Sequence, residues 1–190
     1  TGGETPPVAA STPAATAAAP APTGARTVPA PDKAAEGRAA AKELRDQAAR
    51  LAESDPGQSK SLLVKAADLD PGNLQGQLQL ARVYVKEKDY PRAVETYQKI
   101  ASIDPKFPDS YFNLGYIYAV NKDYGKAEEM YQRTVTLSPP YLDEALFNLG
   151  IVQDKQGKRQ QGIASLERAV QVNPKNEAAR KLLDKLKGKP

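Results

Sequence analysis

From Ala34 onward, apolar residues recur at the three-and-four spacing that lays a stripe along one side of a helix, and proline acts as punctuation between the stripes. The pairs Asp55-Pro56, Asp70-Pro71, Asp104-Pro105, Ser138-Pro139 and Asn173-Pro174 each predict a helix boundary. Proline disfavours helix for the residue before it and has no amide to donate inside one. Asp, Ser and Asn at these places are expected to cap the helix that follows.

The stripes repeat in register. Leu80-Ala81, Leu114-Gly115 and Leu149-Gly150 form one column, and Tyr84, Tyr118 and Gln153 a second. Ala93, Ala127 and Gly162 form a third, Tyr97, Tyr131 and Leu166 a fourth, and Pro105, Pro139 and Pro174 a fifth. In every column the spacing is 34 and then 35, with one residue added near Pro139-Pro140. Each copy holds two helices of about 14 residues, too short to be stable alone in water, so each must bury its stripe on the other. Small residues in the first and third columns let the two backbones approach, and Tyr97 and Tyr131 fill the space between copies. Every pair leaves one side uncovered, which the next copy closes.

A small residue after Leu, then an aromatic, Ala, aromatic and Pro at these distances resembles the tetratricopeptide repeat (TPR), and the match runs over residues 73–174. The departures are Gln77, Tyr111 and Leu146 where a large aromatic is expected, and the loss of both later aromatics from the third copy. The resemblance implies an all-α, right-handed superhelical solenoid. Repeats are expected at 73–107, 108–142 and 143–176, with a degenerate copy at about 38–72 that keeps Leu44, Ala48, Leu51, Leu63 and Ala66. Lys175 to Lys187 carries Ala178, Ala179, Leu182, Leu183 and Leu186 on one face, as a capping helix over 175–187 requires. The repeat domain is thus read as 34–190.

Residues 1–33 differ in kind: 23 of the 33 are Ala, Pro or Thr, with no Leu, Ile, Phe or Tyr. An ordering cost of roughly 1–2 kcal/mol per residue would go without compensation, so a disordered, polyproline-biased tether is predicted. It is either a spacer from an anchor or a plain terminus.

Composition narrows the chemistry. Cys and His are absent, which removes the common zinc and copper ligands, the thiol nucleophile and the imidazole base. No Gly-rich phosphate loop occurs, and Glu128-Glu129 and Asp143-Glu144 read as solvated charges, not an acid/base couple. No catalytic residue, cofactor or metal is expected, and the chain is read as non-enzymatic. The net charge of +4 comes from 27 basic and 23 acidic residues that interleave. Lys181, Lys185, Lys187 and Lys189 make one local excess, read as a solvated terminal helix, so no nucleic-acid partner is expected. No apolar run approaches the roughly 18 residues of a transmembrane helix.

The resemblance implies that the first helix of each pair lines a concave surface where partners lie. Mapped onto this sequence, the inward positions are Gln75, Leu78, Gln79, Arg82 and Lys86; Asp109, Phe112, Asn113, Tyr116 and Val120; Glu144, Phe147, Asn148, Ile151 and Lys155. The stripe Leu78, Phe112, Tyr116, Phe147 and Ile151 suits a peptide or amphipathic helix, with Arg82, Asn113 and Asn148 as polar contacts. The other reading packs Phe112 and Phe147 between helices and ties Asn113 and Asn148 to backbone. The family's carboxylate clamp does not carry over. Its places hold Leu78, Arg82, Asn113, Glu144 and Asn148, of which only Asn113 matches, and Glu144 would repel a carboxylate. The six tyrosines Tyr84, Tyr90, Tyr97, Tyr118, Tyr124 and Tyr131 are assigned to packing.

The expected function is a protein-interaction scaffold or assembly factor that holds a peptide or helix in its groove; the alternative is a constitutive accessory subunit that uses its convex face or ends. The chain resembles small exported TPR proteins that help assemble pili, secretion channels, cell-wall enzymes or cytochrome complexes. The absence of Cys, the start at Thr1 and the Pro/Ala/Thr segment lead to an expected periplasmic or envelope location with a removed signal or lipid anchor, against a cytoplasmic one.

Overall fold

The apolar stripes become helices and the prolines become the turns between them. A computed structural model describes residues 32–188 and contains α1 (Lys33–Leu51), α2 (Pro56–Leu69), α3 (Leu74–Lys86), α4 (Tyr90–Ile103), α5 (Pro108–Val120), α6 (Tyr124–Thr136), α7 (Leu142–Lys155), α8 (Arg159–Val172) and α9 (Glu177–Leu186). There is no strand among the described residues. The expected tether lies outside them except at its end, where Asp32 accepts from the Ala34 amide at 3.1 Å and Lys33 opens α1. Extensive packing joins only helices that are neighbours in sequence, first within pairs (α1 with α2, α3 with α4, α5 with α6, α7 with α8) and then between them. The described residues therefore form the expected all-α solenoid, closed at its C-terminal end by α9, whose Ala179 and Leu186 are buried.

The caps fall differently from expectation. Asp55 does cap α2, accepting from the Gln58 amide at 2.9 Å. Asp70, Asp104 and Asn173 instead end α2, α4 and α8, because a two-residue turn intervenes before the next helix and puts its N-cap at Asn73, Phe107 or Asn176. The side-chain oxygens of Asp104 and Asn173 accept from the amides of Lys106 and Lys175 at 2.9 and 3.0 Å, bracing those turns. After α6 the turn is one residue longer, Ser138 has φ 49°, and Tyr141 is the N-cap of α7 but makes no side-chain cap. The longer turn offsets α6, which has 13 residues where α4 has 14; Tyr141 still stands 34 residues after Phe107, and the residue added to the 35 spacing falls within α7, which has 14 residues where α5 has 13.

Inside the pairs the turn recurs. Lys88, Lys122 and Gly157 have φ of 60°, 62° and 77°, and the amide after each returns to the carbonyl of Tyr84, Tyr118 or Gln153 at 2.8–2.9 Å. This is the left-handed helix ending that glycine adopts most easily.

Close approach within pairs explains the small residues. A β-carbon on Gly115 would lie 2.9 Å from the Tyr131 ring, and one on Gly162 would lie 2.9 Å from the Gly150 carbonyl oxygen. In the second pair Ala81 and Ala93 fill the same role, and both are fully buried. Tyr97 and Tyr131 are buried as expected, and burial pushes the Tyr97 phenol up to about 12.

Two acidic residues correct the reading of solvated charges. Glu128 is buried and accepts from Gln153 at 3.2 Å, Gln156 at 2.8 Å and Lys158 at 2.5 Å, while Ser165 donates to Gln153 at 2.7 Å. Burial alone would raise the Glu128 pKa, but the hydrogen bonds from Lys158, Gln156 and Gln153 outweigh it and hold the carboxyl below its ordinary range. Asp143 is buried and accepts from Asn173 and Asn176, each at 2.9 Å. Gln77, in place of the expected aromatic, is buried and donates to the Pro71 carbonyl at 3.2 Å.

Candidate functional site

The first helices bring most of the expected contact residues to one series of hollows. One, of about 400 Å³, is lined by Arg82 from α3, Asp109, Phe112 and Asn113 from α5, and Tyr141 and Glu144 at the start of α7. Another, of about 540 Å³, lies between α7 and α9 and takes in Glu144, Phe147 and Asn148. A third, of about 300 Å³, lies between α1, α2 and α3 and includes Arg45, Gln79 and Arg82. Helices separated by a full repeat therefore meet at single depressions, as they must on the inner side of a solenoid.

Packing sets how much of each side chain a partner can reach. Phe112 is half-buried, gripped edge-on by Tyr131 (ring centres 5.7 Å apart) and Tyr141 (5.2 Å). Its rotamer is fixed before any ligand arrives, so little side-chain entropy remains to lose on binding. Phe147 and Ile151 are half-buried, and Tyr116 is 44% exposed. Asn113 donates to the Asp109 carbonyl of its own helix at 2.7 Å, which leaves its side-chain oxygen directed by that bond. Asn148 is half-buried and Arg82 exposed. Leu78 is corrected: it is 7% exposed and belongs to the core shared by α1–α5, so it supports the groove from beneath and offers no anchor.

Electrostatics divide this face. Arg45, Arg82 and Lys86 gather toward α1 and α3, whereas Asp109 and Glu144 stand on α5 and α7, with Lys155 at the far end of α7. The Tyr141 hydroxyl donates to the Asp109 carboxylate, and burial followed by that contact pushes the phenol above its ordinary range. The surface can desolvate aliphatic or aromatic groups and hydrogen-bond a backbone. No cluster of metal-binding side chains occurs among the described residues.

The repeat models of one family cover this architecture. Models described as tetratricopeptide repeat match residues 50–115, 108–141 and 144–176. The chain is a tetratricopeptide-repeat protein. No curated protein matches it in sequence. Among solved structures it is similar to MamA (41-end) from Desulfovibrio magneticus RS-1, at 21% identity over 77% of this chain and 82% of that one, with a TM-score of 0.69. It is also similar to pilF of Pseudomonas aeruginosa, at 22% identity over 80% and 69%, TM-score 0.66. The first TPR of Spaghetti (RPAP3), bound to the HSP90 peptide SRMEEVD, is 23% identical over 60% and 90%, TM-score 0.57. These likenesses establish a shared TPR fold.

Sequence reasoning missed Arg45 and Tyr141. Arg45 carries a readable signal, since it stands 34 residues before Gln79 and so takes the same place on the preceding first helix. Tyr141 carries one too, since it stands 34 residues after Phe107 and takes the same place before its first helix.

Proposed function

We propose that this protein is a non-enzymatic scaffold or assembly factor of the bacterial envelope, and that its concave face binds a peptide or helix of another protein. The observation that carries the reading is Phe112. It is neither lost in the core nor free in solvent, and two tyrosines hold it at the floor of a depression shared by three first helices. Phe147 and Tyr116 extend the apolar surface, and Arg82, Asn113, Asn148 and Ile151 border it. A few such preset anchors supply most of the energy of a typical recognition site. The envelope setting is supported by PilW, described as a type IV pilus biogenesis factor, which is 22% identical over 78% of this chain with a TM-score of 0.64. No described helix is long and apolar enough to cross a membrane, so in this reading attachment comes from outside the repeats.

One observation favours the accessory-subunit reading. Leu69, Ile103 and Val172 take the same place at the ends of α2, α4 and α8, and are 48%, 37% and 49% exposed. This row lies on the second helices, away from the groove.

Affinity capture from the envelope fraction of the native cells separates the two readings. The groove reading expects the intact protein to retain a partner that Phe112→Ala plus Phe147→Ala loses, while Leu69→Ser plus Ile103→Ser retains it. Equal recovery by the phenylalanine variant, with a native circular dichroism spectrum, would refute the groove; loss confined to the Leu69/Ile103 variant would establish the subunit reading.

A further inference from the structure

The sign of the charge changes along the chain. Residues 1–154 hold 17 basic and 20 acidic side chains, whereas 155–190 hold 10 basic and 3 acidic. The net +4 therefore conceals a strongly basic C-terminal end on a slightly acidic body. The turns inside the pairs show where the change falls. Asp55, Asp89 and Asp123 stand just before α2, α4 and α6 and cap them, but Lys158 holds that place before α8.

Folding uses only part of this charge. Lys158 meets Glu128 and Lys187 meets Glu167, each at 2.5 Å, and Arg159 and Arg180 donate to the carbonyls of Leu186 and Pro174. Lys155, Arg168, Lys175 and Lys185 are exposed and enter no ion pair among the described residues. Lys181 reaches Glu177 only at 3.6 Å, with both side chains more than three-quarters exposed, so the pair contributes little. Lys181 and Lys185 also stand four apart on the outer side of α9, a like-charge spacing that weakens a helix in water. At the opposite end of the array α1 mixes its signs, and Arg38 pairs with Asp32 at 3.8 Å and Lys42 with Asp46 at 2.8 Å. A terminal helix needs a polar outer face, which a mixture supplies; a single sign at α9 calls for an anionic partner.

The form of this end indicates which kind. Its free cations are mostly lysines, hydrated point charges without the planar fork that fits one carboxylate or phosphate. The hollow beside them, between α7 and α9, carries Asp143, Glu144 and Glu177, which would repel a small anion. No Phe, Tyr or Trp follows Phe147, so nothing there can stack on a base. The apolar side of α9 is already in use: Ala179 and Leu186 are buried, and Leu182 and Leu183 pack against the same core. What remains suits a broad surface of phosphates met by charge, without insertion.

We infer that the C-terminal end of the solenoid, α9 with the turn before it, lies on an anionic phospholipid surface through Lys175, Lys181 and Lys185. The contact is peripheral and reversible, and it points α9 toward the bilayer. It uses none of the residues of the hollow shared by α3, α5 and α7, so it is independent of the groove reading.

The test sediments the full chain with vesicles of phosphatidylcholine, alone or with about 30% phosphatidylglycerol, at about 0.1 M salt. Binding is expected to the anionic vesicles alone, and should be lost at about 0.5 M salt. Lys175→Gln, Lys181→Gln and Lys185→Gln together should weaken it on the order of a hundredfold. Lys33→Gln, Lys65→Gln and Lys99→Gln remove the same charge from exposed places elsewhere and should weaken it by less than about threefold. Equal losses in the two triple variants would overturn the inference, because net charge would then suffice; so would equal binding to phosphatidylcholine alone, or none to either. Tighter binding to a DNA duplex at the same salt, lost in the C-terminal triple, would overturn it in favour of nucleic acid. Salt-sensitive self-association without vesicles, lost in that triple, would overturn it in favour of the acidic body of a second copy. A positional readout stands beside these: lipid spin-labelled at its headgroup should broaden the amide signals of Lys181 and Lys185 more than those of α1, and the reverse order would also overturn the inference.

Discussion

One structural position is closed in two ways along the array. In the second and third pairs it holds Tyr84 and Tyr118, each beneath a cation from the second helix of its own pair: Arg92 at 5.2 Å from the ring centre, Lys126 at 5.4 Å. In the fourth pair it holds Gln153, which bonds Glu128 of the preceding pair and Ser165 of its own. An aromatic ring under an exposed cation fills space and tolerates small shifts. An amide between a carboxylate and a hydroxyl tolerates few, because each displaced atom leaves a buried polar group unpaired. The fourth pair is thus matched to one neighbour, α6, through Glu128, whereas at Tyr84 and Tyr118 the same place rests on shape and an overlying cation.

The largest test of this contrast removes shape. Tyr131→Ala empties the space over Gly115 and beside Phe112, and should cost about 3–5 kcal/mol in urea-induced unfolding. Next comes the amide. Gln153→Leu, which keeps most of the volume but removes one of the donors to Glu128 and the acceptor of the buried Ser165, should cost about 1–3 kcal/mol. Tyr118→Phe should change stability by less than about 0.5 kcal/mol. Equal costs for these two would erase the distinction between the junctions.

A pH series sharpens the same point. The Glu128 carboxyl is held below its ordinary range in the folded state, so the stability it contributes is present above its unfolded pKa and is lost as pH falls through the lowered folded value. Acid should therefore weaken the wild type more than Glu128→Gln, as read from urea midpoints at neutral and acidic pH. A variant with the same acid sensitivity as wild type would show that Glu128 is not the titrating group. A gain is expected at one turn: Lys122→Gly, at φ 62°, should add about 0.5–1 kcal/mol by relieving a left-handed residue in the turn that Gly157 already closes in the fourth pair.

The repeat made the helices readable, and for a physical reason. Stripes, small residues and prolines act within one pair or on the next, so a spacing of 34 carries both local structure and packing partner. Ala81, Gly115, Gly150 and Gly162 could be assigned to close contacts on that basis, and the contacts are there. Glu128 and Asp143 could not. Their partners stand 25–33 residues away and are Gln, Asn and Lys, residues that look solvated wherever the repeat does not demand them. The X-Pro pairs fall at boundaries, but only Asp55 caps the helix that follows; Asp70, Asp104 and Asn173 end the helix before, because a proline stops one helix and says nothing about what caps the next two residues later. At the candidate site Leu78 shows the limit of mapping a face by register. It shares the register of the half-buried Phe112 and Phe147, yet at α3 that position is buried in the core.

Packing confined to sequence neighbours has a mechanical meaning. Tension applied at the two ends would be shared in series by every junction, each yielding a little, as in a coil spring. An occupant spanning α3, α5 and α7 would fasten several turns of that spring together, so its arrival should be felt as stiffness along the whole body as well as occupancy at one spot.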